Sequence, residues 1–176
     1  EHRTDLYSAS MKKELSALDA AIKYIGYKER TSAEVIIKLQ GLGYNQDEIE
    51  DAIIRLKENL LLDDSRFAFD LAECLRRRGA SRKKAIQTLK AKKLDEALIK
   101  EAMQSFTDEG EQEAAEHEAL SYVRRIKKCT GNGFEYSNKD CKRCMEKTLR
   151  RLVSQGFDFD TAKTAARRAC EQLSSE

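Results

Sequence analysis

Six of the nine residues from Arg76 to Lys84 are cations: Arg76, Arg77, Arg78, Arg82, Lys83 and Lys84. Lys90, Lys92 and Lys93 follow one predicted helix later. Guanidinium and ammonium groups gathered near helix ends can neutralise phosphates, and each such contact makes binding salt-sensitive. Further cations come in pairs: Arg124-Arg125, Lys127-Lys128, Lys142-Arg143, Arg150-Arg151 and Arg167-Arg168. Solvated helix faces carry such residues too, and the helix dipole alone favours them near C-termini. The density over 76–84 argues for contact with phosphate or an acidic partner, and the later pairs argue for it less strongly. Aromatic residues able to stack on bases are few, so a sequence-specific reading of nucleic acid is not expected.

Cys129, Cys141 and Cys144 form the one constellation with metal-ligand chemistry, because Cys141-x-x-Cys144 places two thiols on adjacent turns as half a zinc site would. A fourth ligand is the difficulty. His117 lies twelve residues before Cys129, about 18 Å along a continuous helix, so the two cannot share an ion. Cys170 is a further candidate without support from the spacing. Plain thiols in a loop are the stronger reading, with zinc or a regulatory disulfide as alternatives, and no metal or cofactor is expected. Asp63-Asp64 resembles a paired-carboxylate site, but two Asp at a helix start are better explained as caps stabilised by the positive helix end. His2 and His117 lack nucleophile partners, and the glycines read as helix stops rather than a phosphate-cradling loop. Nothing here points to an enzyme.

The elements that must position these residues follow from a threefold repeat. Leu39, Tyr44, Ile49 and Ala52 recur at identical offsets as Leu89, Leu94, Ile99 and Ala102, and again as Leu152, Phe157, Ala162 and Ala165. The same offsets align Ile36 with Ile86 and Leu149, and Leu56 with Phe106 and Ala169. Each copy reads as a helix, a sharp corner plugged by one apolar residue, and a second helix, preceded by a further helix. Self-similarity of this kind marks stacked helical units, which bind long surfaces more often than they house a catalytic pocket.

The expected fold is all-α: three tandem three-helix repeats in an elongated, curved array. Residues 1–13 show no period and are expected to fray. Repeat 1 covers 14–62, repeat 2 covers 63–106, and repeat 3 covers 107–176, with an inserted loop at about 129–140 rich in Gly and Asn. Thr31 or Ser32 caps one helix and Ser81 another. Gly43 and Gly156 suit the left-handed conformation of a helix end, whereas Lys93 stands at the same corner and makes the backbone there less permissive.

Charged residues make up 36% of the chain and hydrophobic residues 40%, with no Pro or Trp, a balance suited to solvated helices that each bury a narrow stripe. The net charge of +2 hides a split: residues 1–75 carry 10 Lys and Arg against 15 Asp and Glu, and residues 76–176 carry 23 against 16. Such polarity suggests different partners for the two ends. No apolar run is long enough to cross a membrane and no secretory signal opens the chain. The first residue is Glu rather than Met, so a leading segment is expected to be missing. Five unevenly spaced cysteines are no secreted disulfide framework, and a reducing compartment is expected: bacterial cytoplasm, with an organelle as the alternative.

The stretch Asn59-Leu-Leu-Leu-Asp63-Asp64-Ser-Arg66-Phe67-Ala68 resembles the most recognisable block of the RecX family of recombinase regulators. Arg30-Thr-Ser32-Ala-Glu34-Val35 and Leu39-x-x-x-Gly43-Tyr44 also fit, and the likeness extends over roughly Leu15 to Gln172. Lys93 in place of a corner Gly, and the loop with its cysteines, depart from the family pattern and bear on the shape of repeat 3. The resemblance implies a non-enzymatic modulator that binds along RecA filaments on DNA, and the chain itself is expected to be a monomer. It also implies inhibition of ATP hydrolysis, strand exchange and co-protease activity, and so a place in recombination, repair and the SOS response. In that setting Asp63, Asp64, Arg66 and Phe67 are structural, and the basic residues contact the filament or the backbone of single- and double-stranded DNA. The rival reading is a non-sequence-specific DNA-binding protein built of trihelical modules.

Overall fold

A computed structural model describes the backbone of residues 15–130 and 138–174 and the side chains of 15–127 and 141–172. The segment 1–13 lies outside the described residues. Among the described residues nine α-helices follow in three triplets: α1 (Ala17–Ile25), α2 (Ser32–Gly41) and α3 (Gln46–Glu58); α4 (Asp64–Arg77), α5 (Arg82–Ala91) and α6 (Glu96–Ala102); α7 (Asp108–Thr130), α8 (Asn138–Ser154) and α9 (Phe159–Ser174). A 3-10 turn, Met103–Ser105, follows α6. No strand occurs among the described residues. Helix α7 continues through Cys129 and Thr130 and α8 begins at Asn138; residues 131–137 of the expected 129–140 loop lie outside the described residues.

Local sequence explains where the helices start. Thr31 Oγ1 accepts from the Glu34 N–H and Glu34 returns a bond to the Thr31 N–H, a reciprocal box that satisfies two otherwise orphaned donors. Asn45 and Glu48 repeat it at α3. The stops are equally regular. At each corner an N–H three residues along bonds back to a helical carbonyl: Gly43 to Gln40, Lys93 to Lys90 and Gly156 to Val153. The three corner residues share a left-handed backbone, with φ of 84°, 55° and 92°. Lys93 therefore adopts the glycine conformation despite its Cβ, at a cost of about 1 kcal/mol.

The repeated apolar positions form the interior. Leu39, Leu89 and Leu152 have no exposed surface, and Leu56, Phe106 and Ala169 are buried one helix later. Leu94 and Phe157 are buried corner plugs, whereas Tyr44 is half-buried and its hydroxyl donates to the Leu15 carbonyl at 2.8 Å.

The chain packs as two compact units, and their boundaries cut through repeat 2: residues 1–70 with 89–99 form one, and 71–88 with 100–176 the other. The core of the first holds Ala21, Val35, Leu39, Ile49, Ala52 and Leu56. That of the second is small-residue-rich, with Ala115, Ala119, Ala162, Ala165 and Ala169 around Val123, Leu152 and Phe157, which lets α7, α8 and α9 approach closely.

One device secures the middle helix of a repeat to the repeat that follows, and each unit contains it once. In the first, Thr31 Oγ1 donates to the Lys92 carbonyl at 3.0 Å, and the Ser32 N–H donates to Asp64 at 2.8 Å. In the second, Ser81 Oγ donates to the Gln155 carbonyl at 2.8 Å, and the Arg82 N–H donates to Glu111 at 3.0 Å. In both, the capping hydroxyl reaches the next corner's carbonyl, and a carboxylate from the next repeat's first helix covers the exposed amide of the helix start.

Candidate functional site

The basic cluster divides by what its members touch. In the second unit, Arg82 is held by the fold: its guanidinium donates to the Phe106 carbonyl at 2.7 Å and to Asp108 at 2.8 Å, and lies 3.4 Å from Glu111. Arg76 makes a two-pronged bond to Glu73 within α4, both contacts at 2.8 Å, and Arg77 lies 3.5 Å from the same carboxylate. The Arg76 hydrogen bonds, outweighing slight desolvation, hold the Glu73 carboxyl below its usual range. Arg78, Lys83 and Lys84 are exposed, and their side chains pair with no carboxylate among the described residues. Within the stretch 76–84 they are the cations with charge to offer a ligand.

In the first unit, Lys92 Nζ lies 2.7 Å from Glu34. Burial would raise the Glu34 carboxyl, but hydrogen bonds from Lys92 and the Thr31 amide, with Arg30 nearby, hold it below its ordinary value of 4.5. Lys90 and Lys93 are exposed and have no ion pair among the described residues.

Of the later pairs, Arg151 and Arg168 bridge helices. Arg151 bonds Glu118 at 2.9 Å, where Gln155 joins it at 3.0 Å, and its guanidinium also sits 4.9 Å from the Tyr122 ring centre. Arg168 pairs with Glu116, and Arg167 lies 3.8 Å from Glu171 on its own helix. Arg125 stacks over Tyr122 at 5.3 Å, Arg124 and Lys127 have partners of their own, and Arg150 is exposed. The side chain of Lys128 lies outside the described residues.

The block around Asp63 is mainly structural. Asp63 caps α4 by accepting the Arg66 N–H at 2.9 Å, while Asp64 reaches across to the Ser32 amide. Arg66 lies 3.5 Å from Glu29, both well exposed, a pair worth little in solvent. Asp63, Arg66 and Phe67, with Ile25, Gly26, Glu29, Arg30 and Leu61, line a cleft of about 220 Å³. Leu62 is buried beside it, yet Leu60 is 78% exposed with a φ of 56° and Leu61 is 53% exposed, an apolar lip that the motif alone does not announce.

Among the described residues no group of three or more His, Cys, Asp and Glu side chains is arranged to hold a metal ion. The Cys129 side chain lies outside those residues. Cys144 and Cys170 are buried in one core, and Cys141 packs against it. No helix among the described residues is long and apolar enough to cross a membrane.

These features define a tandem three-helix repeat protein whose helix starts and corners interlock from one repeat to the next. The family model described as RecX, first three-helix domain, matches residues 17–56. The regulatory protein RecX of Bacillus licheniformis is 31% identical over 146 residues, covering 82% of this chain and 52% of that protein. The RecX protein of Clostridium botulinum strain Eklund 17B is 30% identical over 155 residues, covering 86% of this chain and 67% of its own. The chain belongs to the RecX family. The crystal structure of RecX from Lactobacillus salivarius shares the fold, with a TM-score of 0.71 at 22% identity over 93% of this chain and 97% of that one. Against the first of these relatives the chain spans about half the length.

Proposed function

We propose that this protein binds RecA filaments on DNA and restrains them, lowering ATP hydrolysis, strand exchange and co-protease activity. Membership of a family of regulatory proteins carries the reading. Its physical support is the division of cations: Arg78, Lys83 and Lys84 in one unit and Lys90 and Lys93 in the other stand exposed and without carboxylate partners among the described residues. Exposed, unneutralised cations on helices and at their corners suit phosphate backbone. The exposed Leu60 and Leu61, the second of which lines a cleft with Arg30, Arg66 and Phe67, suit protein contact instead.

Co-sedimentation with RecA filaments at physiological salt tests the proposal. Retention on filaments beyond retention on the same DNA without recombinase is the expected result. The unpaired cations also suit the simpler reading of non-specific DNA binding, for which retention would be equal with and without recombinase and would fall steeply with salt.

A further inference from the structure

We propose that the cleft beside Leu61 is a docking site for a protein segment that pairs one apolar side chain with a neighbouring carboxylate. The apolar group enters beside Ile25, Leu61 and Phe67, and the carboxylate is held by Arg30 and Arg66. The inference rests on the reading of this face as a protein contact and deepens it by naming the partner's chemistry. All of these residues belong to the first unit. The cleft, of about 220 Å³, is below the size of small-molecule pockets and suited to a single side chain.

The connection from α3 to α4 carries a local cost that folding does not recover. Leu60 ends α3 with a left-handed backbone, φ 56°. Its N–H bonds to the Lys57 carbonyl at 3.0 Å, and the Leu61 N–H bonds to the Leu56 carbonyl at 2.9 Å. Glycine takes this conformation freely and leucine does not. At the Lys93 corner the same backbone carries a charged side chain, whereas Leu60 leaves an apolar one in water. Leu61 is also exposed, and only Leu62 is buried. Apolar surface kept in solvent beside a cleft marks a contact face.

Charge selects the rest of the occupant, because hydrogen-bond donors at the cleft outnumber free acceptors. Asp63 accepts the Arg66 N–H at 2.9 Å. Glu34, the carboxylate nearest Arg30, is taken by Lys92 at 2.7 Å and by the Thr31 amide at 3.3 Å. Arg30 approaches it only to 4.0 Å, beyond hydrogen-bond reach, and stacks on the Tyr24 ring 4.6 Å from its centre. The Arg30 Nε is buried with no hydrogen-bond partner among the described residues. Arg66 has a single weak partner, Glu29 at 3.5 Å, and both side chains are well exposed. A guanidinium offers five N–H donors, so both arginines have donors to give. An incoming carboxylate supplies the acceptor that the cleft lacks and displaces Glu29 from Arg66, with planar geometry favouring a two-pronged bond.

The test uses the full chain without RecA or DNA, and fluorescence anisotropy of three blocked, fluorescein-labelled peptides of Gly and Ser. One carries a central Leu followed by two Asp, the second replaces the Asp by Lys, and the third replaces the Leu by Ala. Saturable binding of the first, at least tenfold tighter than either of the others, is the expected result. Arg66→Ala and Leu61→Ala should each weaken it by about five- to tenfold. Leu60→Gly should weaken it as well, yet raise the thermal midpoint by about 1–4 °C, because the change relieves the left-handed corner. A merely structural leucine would not move the two readouts in opposite directions. Absence of saturable binding at millimolar protein, preference for the Lys peptide, or a dimer in analytical ultracentrifugation that Leu60→Gly dissociates would each overturn the proposal. Failure of the filament reading shows separately, as co-sedimentation no greater with recombinase than with DNA alone, and leaves the peptide result standing.

Discussion

Replacing Arg82 by Ala, beside a variant in which Arg78, Lys83 and Lys84 all become Ala, separates the two roles within one short basic stretch. Arg82 donates a charge-assisted bond to the Phe106 carbonyl and sits against Glu111, whose side chain is 15% exposed. Asp108 is 95% exposed and adds almost nothing. Losing the carbonyl bond and the Glu111 contact is expected to cost about 2–3 kcal/mol. For a chain of this size that lowers the thermal midpoint by about 4–12 °C. The triple variant touches only exposed side chains, so its midpoint should stay within a few degrees of the parent. Its effect should appear in binding to single-stranded DNA, where three lost phosphate contacts reduce the slope of log affinity against log salt by about 2. Circular dichroism on heating and fluorescence anisotropy across a salt series read the two effects separately. If Arg82→Ala melts like the parent but flattens the salt slope, the assignment of Arg82 to the fold is wrong.

Three further perturbations probe the scaffold. Lys93→Gly removes a Cβ from a left-handed corner and should stabilise the protein by about 0.5–1 kcal/mol, whereas Gly156→Ala should destabilise it by about 2 kcal/mol or more, because its new Cβ would lie 2.9 Å from Ser81 Oγ; urea titration of both settles the contrast. Ser81→Ala leaves the Gln155 carbonyl without its donor at a site that is 1% exposed, and should cost about 1–3 kcal/mol by the same titration. Stability should also fall with acid. Burial opposes the charged forms of Glu34 and Glu118, yet hydrogen bonds from Lys92 to the first and from Gln155 and Arg151 to the second hold both below their ordinary 4.5. Their folded-state values are depressed, so the stability they contribute is complete above 4.5 and is lost as pH drops through the lower folded values. Glu34→Gln should flatten that decline in a pH series of thermal midpoints.

Much of the scaffold is legible in the sequence because the repeat register reports burial. Leu39, Leu89 and Leu152 align by offset alone and are all fully buried, and the corner positions 43, 93 and 156 share one backbone conformation. Ionic partnerships are much less legible. Asp64 and Glu111 cover the amides of Ser32 and Arg82 across 32 and 29 residues, and no local pattern pairs them. For the same reason the density of charge over 76–84 does not separate Arg82, tied to α7, from Lys83 and Lys84, which face solvent. Cys170 shares a core with Cys144, with Cys141 packed against it, through the packing of α9 on α8, which the spacing of the α8 cysteines cannot convey. Lys93 is a further lesson: tertiary docking on Thr31 holds a corner open to a residue that local propensity disfavours.

The most direct measurement of the central claim is RecA ATPase activity on single-stranded DNA while this protein is titrated from far below to equal the recombinase concentration. Suppression at sub-stoichiometric amounts is the predicted result, because a protein that recognises the filament acts without covering the DNA. Suppression that begins only when enough protein is present to coat the DNA would contradict the account and leave competition for phosphate as the activity.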